Sequence, residues 1–135
     1  MVWERRAGPG FVKLLLDTHI LLWARIEPAR LSPEVRHALE DSNNQKIISV
    51  VSLTEIAIKA SIGKIAVDPA FFDTIDTLGC DVEPFLAQHA KALAALPSLH
   101  RDPFDRMLIV QAMIDGATLV TVDERILAYD VPTLT

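Results

Sequence analysis

Apolar and polar positions along this chain fall into short blocks that switch between strand-like and helix-like patterns. Residues 13–17 (KLLLD) form a brief apolar run closed by an acid, as in a buried strand. Residues 18–24 (THILLWA) then take helical spacing, and Pro28 breaks it. Residues 32–40 (SPEVRHALE) open as a helix, with Ser32 as N-cap and Pro33 in the first helical position. A turn at 41–44 (DSNN) leads to the β-branched stretch 46–51 (KIISVV), which predicts a strand. Residues 52–62 predict a helix stopped at Gly63, and residues 68–78 a capped helix stopped at Gly79. Residues 80–85 predict a short strand weakened by Pro84, and residues 86–96 a small-residue helix ended by Pro97. After a loop at 98–102, residues 103–115 (PFDRMLIVQAMID) carry the longest apolar periodicity and end at Gly116. Residues 117–122 predict a strand, 123–129 a short helix and 131–135 an edge strand.

Strands alternating with helices imply a parallel sheet covered on both faces. The expected fold is α/β, a three-layer α/β/α sandwich with a parallel four- or five-stranded sheet. The 135 residues suffice for one domain with a core, placed at 13–135. Residues 1–12 read as a flexible leader, without the apolar segment and cleavage site of a secretory signal. Half of the residues are hydrophobic and 23% are charged, a folded rather than disordered composition. No apolar run approaches the ~20 residues that span a bilayer. A single cysteine, Cys80, excludes an internal disulfide and a cysteine-rich zinc site. A cytoplasmic setting without membrane association is therefore expected.

The net charge of −5 argues against broad, charge-driven coating of nucleic acid. It is compatible with a nucleic-acid enzyme whose acids converge on bound cations. Acids do fall where strands end, the edge at which open α/β sheets bind ligands. Asp17 closes the first strand, Glu55 follows the second, and Asp123 follows 117–122. Asp102 and Asp105 sit in HRDPFDR (100–106), at the start of the helix that leads into that last strand. Each has a local explanation. Ser52 and Glu55 match a capping box, Asp102 precedes Pro103 as an N-cap should, Asp105 suits the helix dipole, and Asp123 suits the cap of a short helix. Asp17 is harder to explain locally, because an acid ending a buried strand is costly unless paired or coordinated. Hard-metal catalysis uses such a cluster: Mg²⁺ and Mn²⁺ prefer oxygen ligands and act on phosphates. Among rival motifs, GxSxG, Walker A and HExxH are all missing from the sequence.

Four segments, LLLDTHILLW (14–23), SVVSLTEIAIK (49–59), HRDPFDRMLIVQA (100–112) and LVTVD (119–123), together resemble the PIN-domain family. Within it they resemble the VapC-type toxins of type II toxin–antitoxin pairs. The resemblance covers roughly residues 13–135. It implies an Mg²⁺- or Mn²⁺-dependent endoribonuclease in which a metal-activated water cleaves RNA, leaving a 5′-phosphate and a 3′-hydroxyl. Asp17, Glu55, Asp105 and Asp123 match the family's four acids as catalytic residues and metal ligands. Asp102 matches an extra acid of the HRDPFDR branch, and Thr18 and Thr121 match small polar positions beside the site. Thr54 departs from the branch, which often carries Trp there. The implied partners are an RNA substrate (tRNA, rRNA or mRNA), a cognate antitoxin and a second copy in a homodimer. The alternatives are a non-toxin PIN ribonuclease of RNA processing and a non-catalytic RNA- or protein-binding PIN module. A response-regulator receiver shares the fold class but expects an acid pair after the first strand and a lysine after the last.

Arg106 and Lys59 are auxiliary candidates for contacting a scissile phosphate or balancing the acids; Lys59 also suits an i,i+4 pair with Glu55. His19 and His100 are assigned to supporting hydrogen bonds or packing, and His37 and His89 to a helix surface. Trp23, Phe71, Phe72 and Phe104 read as core rather than base-stacking residues. Leu21, Leu22 and Trp23, with the helix expected at 69–78, are a candidate groove for an amphipathic antitoxin helix.

Overall fold

The structure is a computed structural model that describes Trp3 and residues 12–135. Of the expected leader, only Trp3 and Val12 fall within the described residues. Five strands form one sheet: β1 (Lys13–Leu16), β2 (Gln45–Ser49), β3 (Asp81–Glu83), β4 (Thr118–Val120) and β5 (Thr133–Leu134). Their order is β3-β2-β1-β4-β5, and every neighbouring pair is parallel. Six α-helices connect them: α1 (Thr18–Ile26), α2 (Pro33–Glu40), α3 (Val50–Ser61), α4 (Ala87–Leu93), α5 (Pro103–Asp115) and α6 (Glu124–Leu127).

The two-residue period of the central strands divides the core in two. Leu14 and Leu16 of β1, Ile48 of β2 and Val120 of β4 enter one apolar layer with Ile20, Leu21, Val35, Leu39 and Phe71. Leu15, Ile47 and Leu119, their alternate neighbours, enter the other with Leu108, Ile109 and Val110 of α5 and Ile126 of α6. The sheet therefore lies between two helical layers, as the sequence pattern requires. Helix α3 crosses the sheet edge, sending Ile56 to the first layer and Val51 to the second. The chain leaves β1 and adds β2 and β3 on one side. It then returns to place β4 and β5 on the other. That reversal opens a crevice at the carboxyl ends of β1 and β4, where α/β sheets bind ligands.

Several sequence expectations shift. The second strand ends at Ser49 and α3 begins at Val50, so the helix starts two residues earlier than expected. The β-branched pair Val50-Val51 imitates strand, but Ser49 Oγ accepts the Val51 N–H at 3.0 Å and starts the helix. Ser52 is thereby a fully buried residue inside α3 rather than its cap, and Glu55 is released from the expected capping box. Residues 68–78 form not one helix but two 3₁₀ turns, Pro69–Phe71 and Ile75–Leu78. Asp68 caps the first, accepting the Ala70 N–H at 2.8 Å.

His89, expected on a surface, is buried. Its Nδ1 accepts the Leu86 N–H at 2.9 Å and its Nε2 meets Asp115 Oδ1 at 2.8 Å, tying α4 to α5. The alanines around it in α4 give no apolar stripe that would have revealed the inward face. Phe71 and Phe104 pack in the core as expected, whereas Phe72 is 38% exposed. Leu21, Phe71, Ile75 and Leu78 are buried in the first apolar layer, so these four do not line an open groove.

Gly79 ends the second 3₁₀ turn at φ +82°, and Gly116 ends α5 at φ +66°. Both conformations disfavour a side chain. A Cβ at Gly79 would also strike the backbone carbonyl of Trp3, whose own N–H donates to Leu78 O at 2.8 Å. Around Gly116 there is open space. Gly116→Ala should therefore cost about 1 kcal/mol in urea denaturation. Gly79→Ala should cost distinctly more, and equal losses would show that the backbone at Trp3 yields freely.

Candidate active site

The acids at the crevice are placed by helix starts. Asp17 caps α1: its N–H continues the sheet ladder to Val120 O at 3.0 Å, while its Oδ1 accepts the Ile20 N–H at 2.8 Å. Asp102 caps α5, one oxygen accepting the N–H groups of Phe104 and Asp105 at 2.9 and 3.1 Å. Asp123 caps α6 through the Arg125 N–H at 2.9 Å. The local explanations for Asp102 and Asp123 thus hold, and Asp17 turns out to have one too. Each cap uses one carboxylate oxygen, so capping does not exhaust these groups.

Side chains link the acids into a ring. Asp17 is hydrogen-bonded to the buried Thr121 hydroxyl, which accepts the Asp123 N–H at 3.1 Å. Asp123 Oδ2 lies 3.9 Å from His100 Nε2, and that same nitrogen meets Asp105 Oδ2 at 2.7 Å. The ring returns through Glu55, whose charge acts on Asp105. Glu55 Oε1 accepts the Thr18 hydroxyl at 2.5 Å, beside Asp17. Thr18 also reaches Ser52 Oγ at 3.3 Å. Asp17, Thr18, Ser52, Glu55, His100 and Thr121 are all buried, an unusual density of polar groups at the edge of an apolar core.

The electrostatics record that crowding. Burial pushes the Asp17 carboxyl above its ordinary range, against the Thr121 and Ile20 hydrogen bonds that oppose the rise. Burial likewise raises Asp105 to about 6, with the charges of Asp102 and Glu55 adding to it and the His100 hydrogen bond opposing it. Asp123 is also pushed up by burial, but the side-chain and backbone hydrogen bonds from Arg125 together hold it below its ordinary value. The Arg125 guanidinium spans both of its oxygens, at 3.2 and 3.1 Å. Lys59 Nζ meets Glu55 Oε2 at 2.6 Å, and that hydrogen bond raises the lysine.

The sequence-derived candidates therefore separate. Asp17, Glu55, Asp105 and Asp123 converge, and Thr18 and Thr121 support them. Lys59 is the expected i,i+4 partner of Glu55 and stands beside the acids. Asp102 serves as a helix cap next to Asp105. Arg106 turns away: its guanidinium donates to the carbonyls of Leu96, Pro97 and His100 and to the Tyr129 hydroxyl. Thr54, at the position of departure, is exposed and donates back to Val50 O at 2.8 Å, clear of Glu55. Ser52, Arg125 and Tyr129 were missed. Arg125 had a signal in its position two residues after Asp123; Tyr129 had none.

One ligand atom from each of His100, Asp105 and Asp123 lies within 4.8 Å of the others. Asp17 and Glu55 lie outside that group but act on it electrostatically, Asp17 with Asp123 and Glu55 with Asp105. Oxygen donors with an imidazole at the margin suit Mg²⁺ and suit Mn²⁺ as well. Carboxyls raised by burial and mutual repulsion are the groups a cation would relieve. By its donor chemistry, the site fits a divalent metal.

Comparison with known proteins agrees with the geometry. The PIN domain family matches residues 14–132. The chain belongs to the PIN domain family. It is 29% identical over 126 residues to Ribonuclease VapC22 of Mycobacterium tuberculosis, an alignment covering 88% of this chain and 93% of that protein. Among solved structures it is similar to VapBC2 from Rickettsia felis bound to a DNA fragment from their promoter. That match has a TM-score of 0.71 at 19% identity, over 91% of this chain and 98% of that one. It is also similar to a toxin–antitoxin complex from Klebsiella pneumoniae, with a TM-score of 0.62 at 18% identity, over 90% and 96% of the two chains. FitAcB from Neisseria gonorrhoeae matches at 0.62 and 19%, over the same shares. These structural likenesses establish the PIN-type α/β/α fold.

The raised Asp105 carboxyl has a consequence for metal-free stability. Its folded-state pKa of about 6 lies above the ordinary 3.8, so the folded state binds that proton more tightly than the unfolded state. The associated stability is complete below about pH 4 and is lost as pH rises through about 6. Asp105→Asn retains an acceptor for His100 and removes the charge. In the presence of chelator it should unfold at a higher temperature than wild type at pH 8, with the gain fading toward pH 4. A gain that is absent, or independent of pH, would refute the burial account.

Proposed function

We propose that this protein is a divalent-metal-dependent endoribonuclease of the VapC type, the toxin of a toxin–antitoxin pair. The observation that carries the reading is the ring of four carboxylates, Asp17, Glu55, Asp105 and Asp123, at the crevice of a PIN-domain sheet. Those four residues would hold Mg²⁺ or Mn²⁺. When bound there, the cation lowers the pKa of water and neutralises charge developing on a phosphate.

The chain's own residues do the rest. Asp17 and Glu55 are fixed by the Thr121 and Thr18 hydroxyls, so their oxygens are set before substrate arrives. His100 donates to one oxygen of Asp105 and leaves the other for the site. Lys59 and Arg125 stand on the rim with partly or largely exposed side chains. They offer positive charge to an RNA backbone that the acids alone would repel. A single acidic crevice flanked by two cations favours gripping a few nucleotides over coating a duplex, in keeping with the overall negative charge.

The similarity to VapBC2 and to the toxin–antitoxin complex from Klebsiella pneumoniae supports a cognate antitoxin as partner, and we extend the assignment to a homodimer acting in the cytoplasm. Among the described residues no helix is long and apolar enough to cross a membrane. Asp17→Asn and Asp105→Asn should each abolish EDTA-sensitive cleavage of a total-RNA pool while leaving the circular dichroism spectrum unchanged. Full activity in either variant sinks the metal-site assignment, and absence of any metal-dependent cleavage by wild type sinks the ribonuclease.

A further inference from the structure

Arg106 is a charged residue of HRDPFDR that the proposed reaction does not use, yet it is among the most heavily bonded side chains described. Nη1 donates to Pro97 O at 3.0 Å, His100 O at 3.2 Å and the Tyr129 hydroxyl at 3.2 Å; Nη2 donates to Leu96 O at 3.2 Å. Tyr129, the chain's lone tyrosine, is buried two residues after α6 and closes the same knot. Its hydroxyl donates to Pro97 O at 2.6 Å and accepts the N–H groups of Leu99 and His100 at 3.0 and 2.9 Å. The loop between α4 and α5 lacks regular structure of its own, so these bonds take the place of a ladder.

The knot grips His100 from both sides. Its backbone N–H goes to Tyr129 and its carbonyl to Arg106. The imidazole is buried, and its Nδ1 faces the Asp102 N–H at 3.5 Å, which leaves Nε2 to carry the proton toward Asp105. Only two residues of α5, Pro103 and Phe104, separate the capping Asp102 from Asp105, and Arg106 is the next in line. A fork of guanidinium donors fixed on one loop and one hydroxyl is a geometric device that a lysine would not reproduce.

We propose that Arg106 and Tyr129 are positioning residues that act through His100 to set the Asp105 carboxylate for its metal. The inference rests on the ribonuclease reading of that site and adds to it a support reaching from the segment after α6 to α5. Outer partners of metal ligands commonly change metal affinity or activity about 10- to 100-fold when removed.

The test is a double-mutant cycle on the full chain, read by Mn²⁺ affinity (calorimetry) and by RNA cleavage. Tyr129→Phe keeps the buried ring and removes only the hydroxyl. It should weaken Mn²⁺ binding and cleavage about tenfold or more. In a His100→Ala background the same substitution should have almost no further effect on either readout, because the route to Asp105 is already cut. Arg106→Lys, which retains the charge, should show part of the same loss. A Tyr129→Phe effect of equal size in both backgrounds means that the knot merely stabilises the fold, and overturns the proposal. So does unchanged Mn²⁺ affinity in Tyr129→Phe. A wild type that cleaves normally while the cycle is additive leaves the ribonuclease reading intact and removes only this inference. A wild type that neither binds Mn²⁺ nor cleaves removes both.

Discussion

Charge kept out of water at the end of an apolar sheet is the constraint on which this structure turns. Asp17 and Glu55 are buried, and Asp105 is mostly so. Left alone, such carboxylates would take up protons or pull the crevice open. The protein answers with specific bonds: Thr121 to Asp17, Thr18 and Lys59 to Glu55, His100 to Asp105, Arg125 to Asp123. Every acid has at least one donor, and yet Asp17 and Asp105 remain raised above the ordinary carboxyl value. Partial neutralisation is the informative condition. On the proposed reading, the residues are held well enough to fold, and the charge left over is what a bound cation would relieve.

The place of that strain follows from strand order. Because β1 sits between β2 and β4, and the chain reverses direction of addition around it, the helices after β1 and β4 diverge. The acids at the ends of those strands then gather at the switch point, the edge at which such sheets bind ligands. The alternation that sends Leu14 and Leu16 to one layer and Leu15 to the other fixes this edge in register. A one-residue slip in β1 would exchange its two faces and disrupt both apolar layers together.

Much of this was legible in the sequence because the signals were local. Helix α5 was read to the residue, since Asp102, Pro103 and Gly116 mark its ends by backbone chemistry alone. Helix α2 was equally plain through Ser32 and Pro33. The four acids could be picked out by their position after strands and by family resemblance. What escaped depended on distant partners. Ser49 beat Ser52 as the cap because a tertiary fold, with Ser49 Oγ also donating to Gln111 at 2.6 Å, outweighed the strand preference of two valines. His89 was hidden by alanine neighbours. Arg106 looked like a catalytic cation because its partners, a loop of carbonyls and a tyrosine 23 residues away, leave no trace in local pattern.

Three of the site's acids, Asp17, Asp102 and Asp123, also begin helices. Asparagine starts a helix about as well as aspartate does. On the proposed ribonuclease reading, Asn in place of Asp17 or Asp123 would therefore remove a metal ligand and leave the helix start standing. On that reading, catalysis and shape separate at these two positions. A variant without such a ligand would keep the same surface while losing the proposed reaction.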